Sequence, residues 1–175
     1  SRGTLNVVGS TIAANRAGYS GGGILSDGVL TVSRSTISGN RTDVSGGGGI
    51  LILCNNESCG TAGAAIRSST ITGNDAKGDA GGGLYFLGPT TVSNTIVAGN
   101  RLNGDPTALT ADCRDNGYLD ALGYNLSTLD TGCGFTGPTD VVLQLPSQVY
   151  TVVLEPVLAA NGSPRLTHAL IERGY

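Results

Sequence analysis

The chain has 175 residues, with 10 Lys and Arg against 13 Asp and Glu, a formal net charge of −3 and one His. That balance excludes the basic footprint of a nucleic-acid binder, and no apolar run approaches the roughly 20 residues that span a bilayer. Gly supplies 29 residues without a three-residue period while Met and Trp are absent, which excludes a collagen-like chain, and Val, Ile and Leu recur between the glycines too regularly for disorder.

No secretory leader opens the chain, and with Ser1 first and no Met the sequence is expected to be a processed or excised piece. In chain order, Leu5-Asn6-Val7 reads as a short strand. Ser10-Thr11-Ile12-Ala13-Ala14-Asn15 follows, then Gly21-Gly22-Gly23 running into Ile24-Leu25. The same three parts return as Leu30-Thr31-Val32, Ser35-Thr36-Ile37-Ser38-Gly39-Asn40 and Gly47-Gly48-Gly49-Ile50-Leu51. They return again as Ala64-Ala65-Ile66, Ser69-Thr70-Ile71-Thr72-Gly73-Asn74 and Gly81-Gly82-Gly83-Leu84-Tyr85. A looser copy begins at Thr90-Thr91-Val92 and continues to Thr95-Ile96-Val97-Ala98-Gly99-Asn100. Apolar residues alternate with small polar ones inside each part, the period of a half-buried strand.

The asparagines set the period. Asn15 to Asn40 is 25 residues and Asn74 to Asn100 is 26, whereas Asn40 to Asn74 is 34. The surplus falls between Leu53 and Ala62, where an insertion at 54–61 holding Cys54 and Cys59 is expected. Three strands per turn of about 25 residues describe an all-β, right-handed parallel β-helix of about four coils over residues 1–100. Val7, Val32, Ile66 and Val92 form one expected inward column; Ile12, Ile37, Ile71 and Val97 form a second, and Ile24, Ile50 and Leu84 a third. Asn15, Asn40, Asn74 and Asn100 are expected to stack as a structural amide ladder at one turn.

After Asn100 the repeat is expected to stop. Residues 101–175 read as a C-terminal loop and capping segment, with Val141 to Leu154 as two strands broken at Pro146, closing the open end of the stack. Four cysteines lack the knuckle spacing of a zinc site, so two local disulfides are expected, Cys54–Cys59 and Cys113–Cys133. Disulfides imply an oxidising, extracellular or periplasmic setting.

The Ser-Thr-Ile-x-Gly-Asn and Gly-Gly-Gly-Ile alternation resembles bacterial right-handed parallel β-helix repeat proteins, including the polymorphic outer-membrane type. The tail, with Asp112-Cys113, Gly123-Tyr124-Asn125-Leu126, Asn161-Gly162 and Thr167-His168-Ala169-Leu170, resembles the C-terminal region of choice-of-anchor Q domain proteins. The resemblance implies a secreted or cell-surface bacterial protein and brings no catalytic residues with it. It differs from the usual tail in having Ser163 where a second Gly is common.

Enzymes resembling this fold place paired carboxylates, or carboxylates with Arg or Lys, on one exposed strand face of neighbouring coils. The expected outward positions here are Asn6, Thr31, Ala65 and Thr91, then Val8, Ser33, Arg67 and Ser93, with no carboxylate among them. Arg16, Arg41 and Arg101, with Asp75 in the fourth place, follow their asparagines and are expected on one edge, as a solvated face or an anionic-glycan contact. Asp112, Asp115, Asn116 and Asp120 cluster in the tail, where a polar surface loop is expected and Ca²⁺ is the alternative. His168 near Ser163 or Thr167 lacks an acid for a hydrolase and is expected to cap a backbone group. An ice-binding face is disfavoured because the Thr11, Thr36, Thr70 column breaks at Ile96. The expected function is a non-catalytic extracellular module, surface-adhesive or glycan-binding, without a cofactor and with a glycan or surface protein as partner. The alternative is a carbohydrate-active hydrolase or lyase, or another hydrolase, with catalytic groups in its turns.

Overall fold

The computed structural model describes residues 3–53, 63–128 and 132–172. The chain cycles through short strands. The first circuit holds β1 (Leu5–Val8), β2 (Thr11–Ala13), β3 (Arg16–Ala17) and β4 (Ile24–Ser26), and the second β5 (Leu30–Ser33), β6 (Thr36–Ser38), β7 (Arg41–Thr42) and β8 (Ile50–Leu53). The third holds β9 (Ala64–Arg67), β10 (Thr70–Thr72), β11 (Asp75–Ala76) and β12 (Leu84–Leu87). The fourth holds β13 (Thr90–Ser93), β14 (Ile96–Ala98), β15 (Arg101–Leu102) and β16 (Cys113–Arg114), after which come β17 (Leu119–Ala121), β18 (Leu126–Thr128) and β19 (Val141–Leu143).

Every named strand pairs in parallel with a counterpart in a neighbouring circuit, so the molecule is an all-β assembly of four parallel sheets. Sheet A is β1-β5-β9-β13-β17, sheet B is β2-β6-β10-β14-β18-β19, sheet C is β3-β7-β11-β15 and sheet D is β4-β8-β12-β16. Register puts like residues beside like. Val7, Val32, Ile66 and Val92 are consecutive partners in sheet A, Ile12, Ile37, Ile71 and Val97 in sheet B, and Ile24, Ile50 and Leu84 in sheet D. All but the half-buried Ile12 lie in one buried apolar cluster, against which Ile12 packs. Burying such columns is the main stabilising term.

Three expectations are corrected. Each circuit contains a fourth strand, the two-residue members of sheet C, because the chain stays paired just past each asparagine: Arg41 N donates to Asn15 O and Asp75 N to Asn40 O, both at 2.9 Å. The pairing also continues beyond Asn100. Cys113 partners Leu84, Asp120 partners Thr91, and Ser127 partners Val97. Finally, the region after Pro146 is not a strand: Pro146–Gln148 is a 3-10 turn and Val149–Val153 a π-type turn.

That last change has a packing cause. Sheet B turns apolar outward residues, Ile96, Ala98 and Leu126, toward its outer face. Val149, Tyr150, Val153 and Leu154 cover them as a second cluster. The tail then passes over the earlier circuits, where Thr11 Oγ1 donates to Leu166 O at 2.6 Å. This segment therefore lies along the outer face of sheet B. Beyond β16, Leu119 and Ala121 pack against the main core, and Cys133 and Phe135 join it almost fully buried.

Cys113 and Cys133 form a disulfide across 20 residues, with their Cα atoms 4.8 Å apart. Cys54 and Cys59 fall outside the described residues. Closing a loop of this length stabilises by about 3 kcal/mol. The double substitution Cys113→Ala/Cys133→Ala is therefore expected to lower unfolding free energy by about that amount or more, since both sulfurs are core atoms. Urea melts of the two proteins measure it, and coincident curves would contradict the assignment.

Candidate functional site

The most organised polar feature is the asparagine stack. The backbone N–H and the side-chain Nδ2 of Asn15 both donate to Asn40 Oδ1, at 3.0 and 2.9 Å. Asn40 repeats this toward Asn74 Oδ1 at 2.9 and 3.0 Å, and Asn74 toward Asn100 Oδ1 at 3.1 and 2.9 Å. Each inner Nδ2 also reaches back to a carbonyl, Ile12 O, Ile37 O or Ile71 O, at 3.0 Å. Asn40, Asn74 and Asn100 are wholly buried and Asn15 is exposed. A carboxamide whose donors and acceptor are all committed inside the protein has nothing left for a ligand.

The glycine runs are the other half of this device. A Cβ on Gly49 would lie 2.6 Å from Gly83 O and 3.1 Å from Asn74 Nδ2, so the missing side chain is the room the carboxamide occupies. The residue before each sheet D strand is Gly23, Gly49 or Gly83 in the first three circuits and Asp112 in the fourth. Asp112 reaches inward to the place a further asparagine would fill. Its Oδ1 accepts from Asn100 N and Nδ2, both at 2.9 Å. Its Oδ2 accepts from Thr128 N at 2.8 Å and from Thr128 Oγ1. Each rung sends its backbone N–H and one Nδ2 hydrogen to the oxygen of the next, so the terminus must be an acceptor, and four converging donors suit a carboxylate.

Burial opposes that charge. Desolvation pushes the Asp112 carboxyl up to about 6, against the pull of its bonds from Thr128 and Asn100. A second, shorter relay runs beside the first: Ser10 N donates to Ser35 Oγ and Ser35 N to Ser69 Oγ. Later, Thr95 N donates to Asn125 Oδ1 at 3.2 Å and Asn125 N to Asp140 Oδ1 at 2.8 Å. It too ends on an aspartate.

The acidic residues of the tail are dispersed. Asp112 is sealed in the ladder; Asp115 Oδ1 accepts from Tyr118 N at 2.8 Å and Leu119 N at 3.1 Å within its own turn. Asp120 is exposed on the outer face of sheet A beside Thr91, and Asn116 is exposed. Among the described residues no three His, Cys, Asp or Glu side chains gather at metal-binding distance. The outward column Asn6, Thr31, Ala65, Thr91 thus acquires one carboxylate, Asp120, which a reading that ended the repeat at Asn100 missed.

His168 does not engage Ser163 or Thr167. Its Nδ1 donates to Glu155 O at 2.8 Å, since a carbonyl can only accept, and its Nε2 lies 2.9 Å from Ser38 Oγ. A serine–histidine contact invites a hydrolase reading. Here the group orienting the imidazole is an uncharged carbonyl, and Ser38 is buried under the tail. The pair fastens the tail to β6, as Tyr150 and Thr72 do through their hydroxyls at 2.7 Å.

Sheet C carries the arginines. Arg16 partners Arg41, Arg41 partners Asp75, and Asp75 partners Arg101. Arg16 Nε donates to both oxygens of Asp43 at 2.9 Å, and Arg41 lies 3.8 Å from the same carboxylate. Two grooves lie on the surface. One of about 260 Å³ runs over sheet A between Thr31, Ala65, Pro89 and Thr91. The other, of about 190 Å³, lies between Arg101 and the tail.

Asn40→Ala is expected to cost about 1–3 kcal/mol by unpairing donors and acceptors on both sides, and Asn15→Ala clearly less, since water replaces its bonds. Equal losses of melting temperature for the two variants would contradict a ladder held by burial. For Asp112, a folded carboxyl raised from 3.8 to about 6 holds a proton that the unfolded chain has released. Its stabilising contribution is complete below about pH 4 and is lost as pH rises to 6, by about 3 kcal/mol. Asp112→Asn, fixed in a neutral form, should lack this slope. The stability difference between wild type and variant, followed from pH 4 to 7, checks the sign.

A scan against protein-family models and searches of curated proteins and of solved structures found no match.

Proposed function

We propose that this chain is a non-catalytic extracellular module. In this reading the four sheets close into a right-handed parallel β-helix belonging to a secreted or cell-surface bacterial protein of the kind its repeats resemble. The module presents its strand faces and edges to a glycan or a surface protein. The carrying observation is the outer face of sheet A. Its central column is Asn6, Thr31, Ala65 and Thr91, with one carboxylate, Asp120, at the far end. Arg67, in the neighbouring column, is partnered with Ser93, one strand short of β17. Proton transfer needs two ionisable groups held against one substrate bond, and hydroxyls and amides on a rigid sheet suit hydrogen bonding to a partner. The Cys113–Cys133 disulfide supports an oxidising location. No helix among the described residues is long and apolar enough to cross a membrane.

The Ser38–His168 contact is the observation that favours the alternative, a hydrolase. One experiment separates the two. Purified protein is incubated with polysaccharides and simple esters, with and without Ca²⁺, and separately with a fluorophosphonate probe. No turnover and no labelling of Ser38 are expected. Turnover lost in Asp120→Asn or His168→Ala, or a phosphonylated Ser38, would overturn the proposal.

A further inference from the structure

We infer that the groove between Arg101 and the tail binds a carboxylate-bearing sugar unit of an acidic glycan, with the Arg101 guanidinium gripping the carboxylate; this rests on the binding-module reading above. The groove is lined by Gly99, Arg101, Pro106, Pro146, Ser147 and Tyr150.

Charge assigns the ligand's sign. Arg16 and Arg41 share Asp43. Asp75, the register partner of Arg101, accepts from Gly104 N at its Oδ1 at 2.9 Å. Among the described residues no carboxylate comes within ion-pair distance of Arg101, whose side chain is exposed. Of the three stacked arginines, this one is left with its guanidinium uncompensated, and it is also the one beside a cavity. A guanidinium presents two parallel N–H donors, the geometry that a planar carboxylate accepts.

Both walls are held. Arg101 begins β15, its N–H donating to Asn74 O at 2.8 Å, directly after the buried Asn100 rung. Tyr150 is fixed by its hydroxyl contact with Thr72. Its ring lies against Gly99, where a Cβ would come within 3.2 Å of Cε2. A groove framed by a ladder residue and a pinned ring is formed before ligand arrives, which lowers the entropic cost of binding.

Shape and polarity narrow the class. About 190 Å³ is below the roughly 300–1,000 Å³ of pockets that take drug-sized molecules, so one ring fits and a larger body must extend outside. Pro106, Pro146 and the Tyr150 ring offer flat apolar surface to the C–H face of a pyranose, and Ser147 is an exposed hydroxyl for its ring substituents. An isolated small anion would use the guanidinium and leave those walls unused.

The test uses the whole chain with trigalacturonate and with its methyl ester, which keeps the rings and removes the charge. Titration calorimetry at low salt is expected to show saturable binding of the acid and at least tenfold weaker binding of the ester. Arg101→Gln should bring the acid down to the ester's affinity, Arg101→Lys should lie between, and Arg16→Gln should leave binding unchanged. Melting curves confirm that each variant is folded. Equal binding of acid and ester, indifference to Arg101→Gln, or no binding of either would overturn the groove assignment. Those outcomes leave the module free to bind elsewhere, whereas depolymerised trigalacturonate in the same samples would instead sink the non-catalytic reading.

Discussion

Everything in this chain is arranged around a row of carboxamides placed where water cannot reach them. A buried amide without partners costs several kcal/mol, so each asparagine must find a neighbour one circuit away at one distance. That requirement fixes the register of sheets B and C on either side of the row. It also explains the glycines opposite, since Gly23, Gly49 and Gly83 face Asn40, Asn74 and Asn100 closely enough that a Cβ would intrude. Asparagine and glycine here are one interaction seen from its two walls. Because each rung sends its backbone N–H and one Nδ2 hydrogen forward, the row must end on an acceptor, and Asp112 closes it from the glycine side.

The tail obeys a different constraint. Outward residues of sheet B are polar in the second and third circuits, with Thr36, Ser38, Thr70 and Thr72, and become apolar with Ile96, Ala98 and Leu126. The covering segment changes character in step, apolar at Val149 and Leu154 and hydrogen-bonding at Tyr150 and His168. A strand added at the edge could not have matched both. The consequence for function is subtractive: sheet B's outer face is occupied by the protein's own chain and is not open to a ligand.

The repeats were legible because alternation and the Asn spacing survive in the first four circuits. The continuation was not, for reasons visible in three residues. Asp112-Cys113 stands where Gly83-Leu84 stood one circuit earlier, replacing both halves of the motif. Ser127 occupies the inward column after Val97, with its hydroxyl buried and unpaired, and so reads as loop. The tail's Val149–Val153 run has strand-like composition and folds as a helical turn because the surface beneath it needs apolar cover. Ser38 was invisible as the partner of His168 because 130 residues separate them and no local pattern encodes a side-on tail. Aligning Asp112-Cys113 with the glycine–strand junctions would have exposed the ladder's terminus from sequence.

The same architecture indicates where chemistry can vary without damage. Inward positions are bound by packing and ladder positions by their hydrogen bonds. The residue immediately after each rung is held by its backbone, yet its side chain leaves the ladder, and there the chain carries Arg16, Arg41, Asp75 and Arg101. Three cations and one anion at that position, all on short paired strands, show that charge at this corner is independent of the fold. A corner positioned by a buried ladder but free in its side chain combines the rigidity that binding requires with freedom to change specificity. The carboxylates of the corner stay inside it, Asp43 with two arginines and Asp75 with a backbone amide. What remains directed outward is positive charge at Arg101, on a protein whose net charge is negative, and a ligand of opposite sign meets it locally even though the molecule as a whole would repel one.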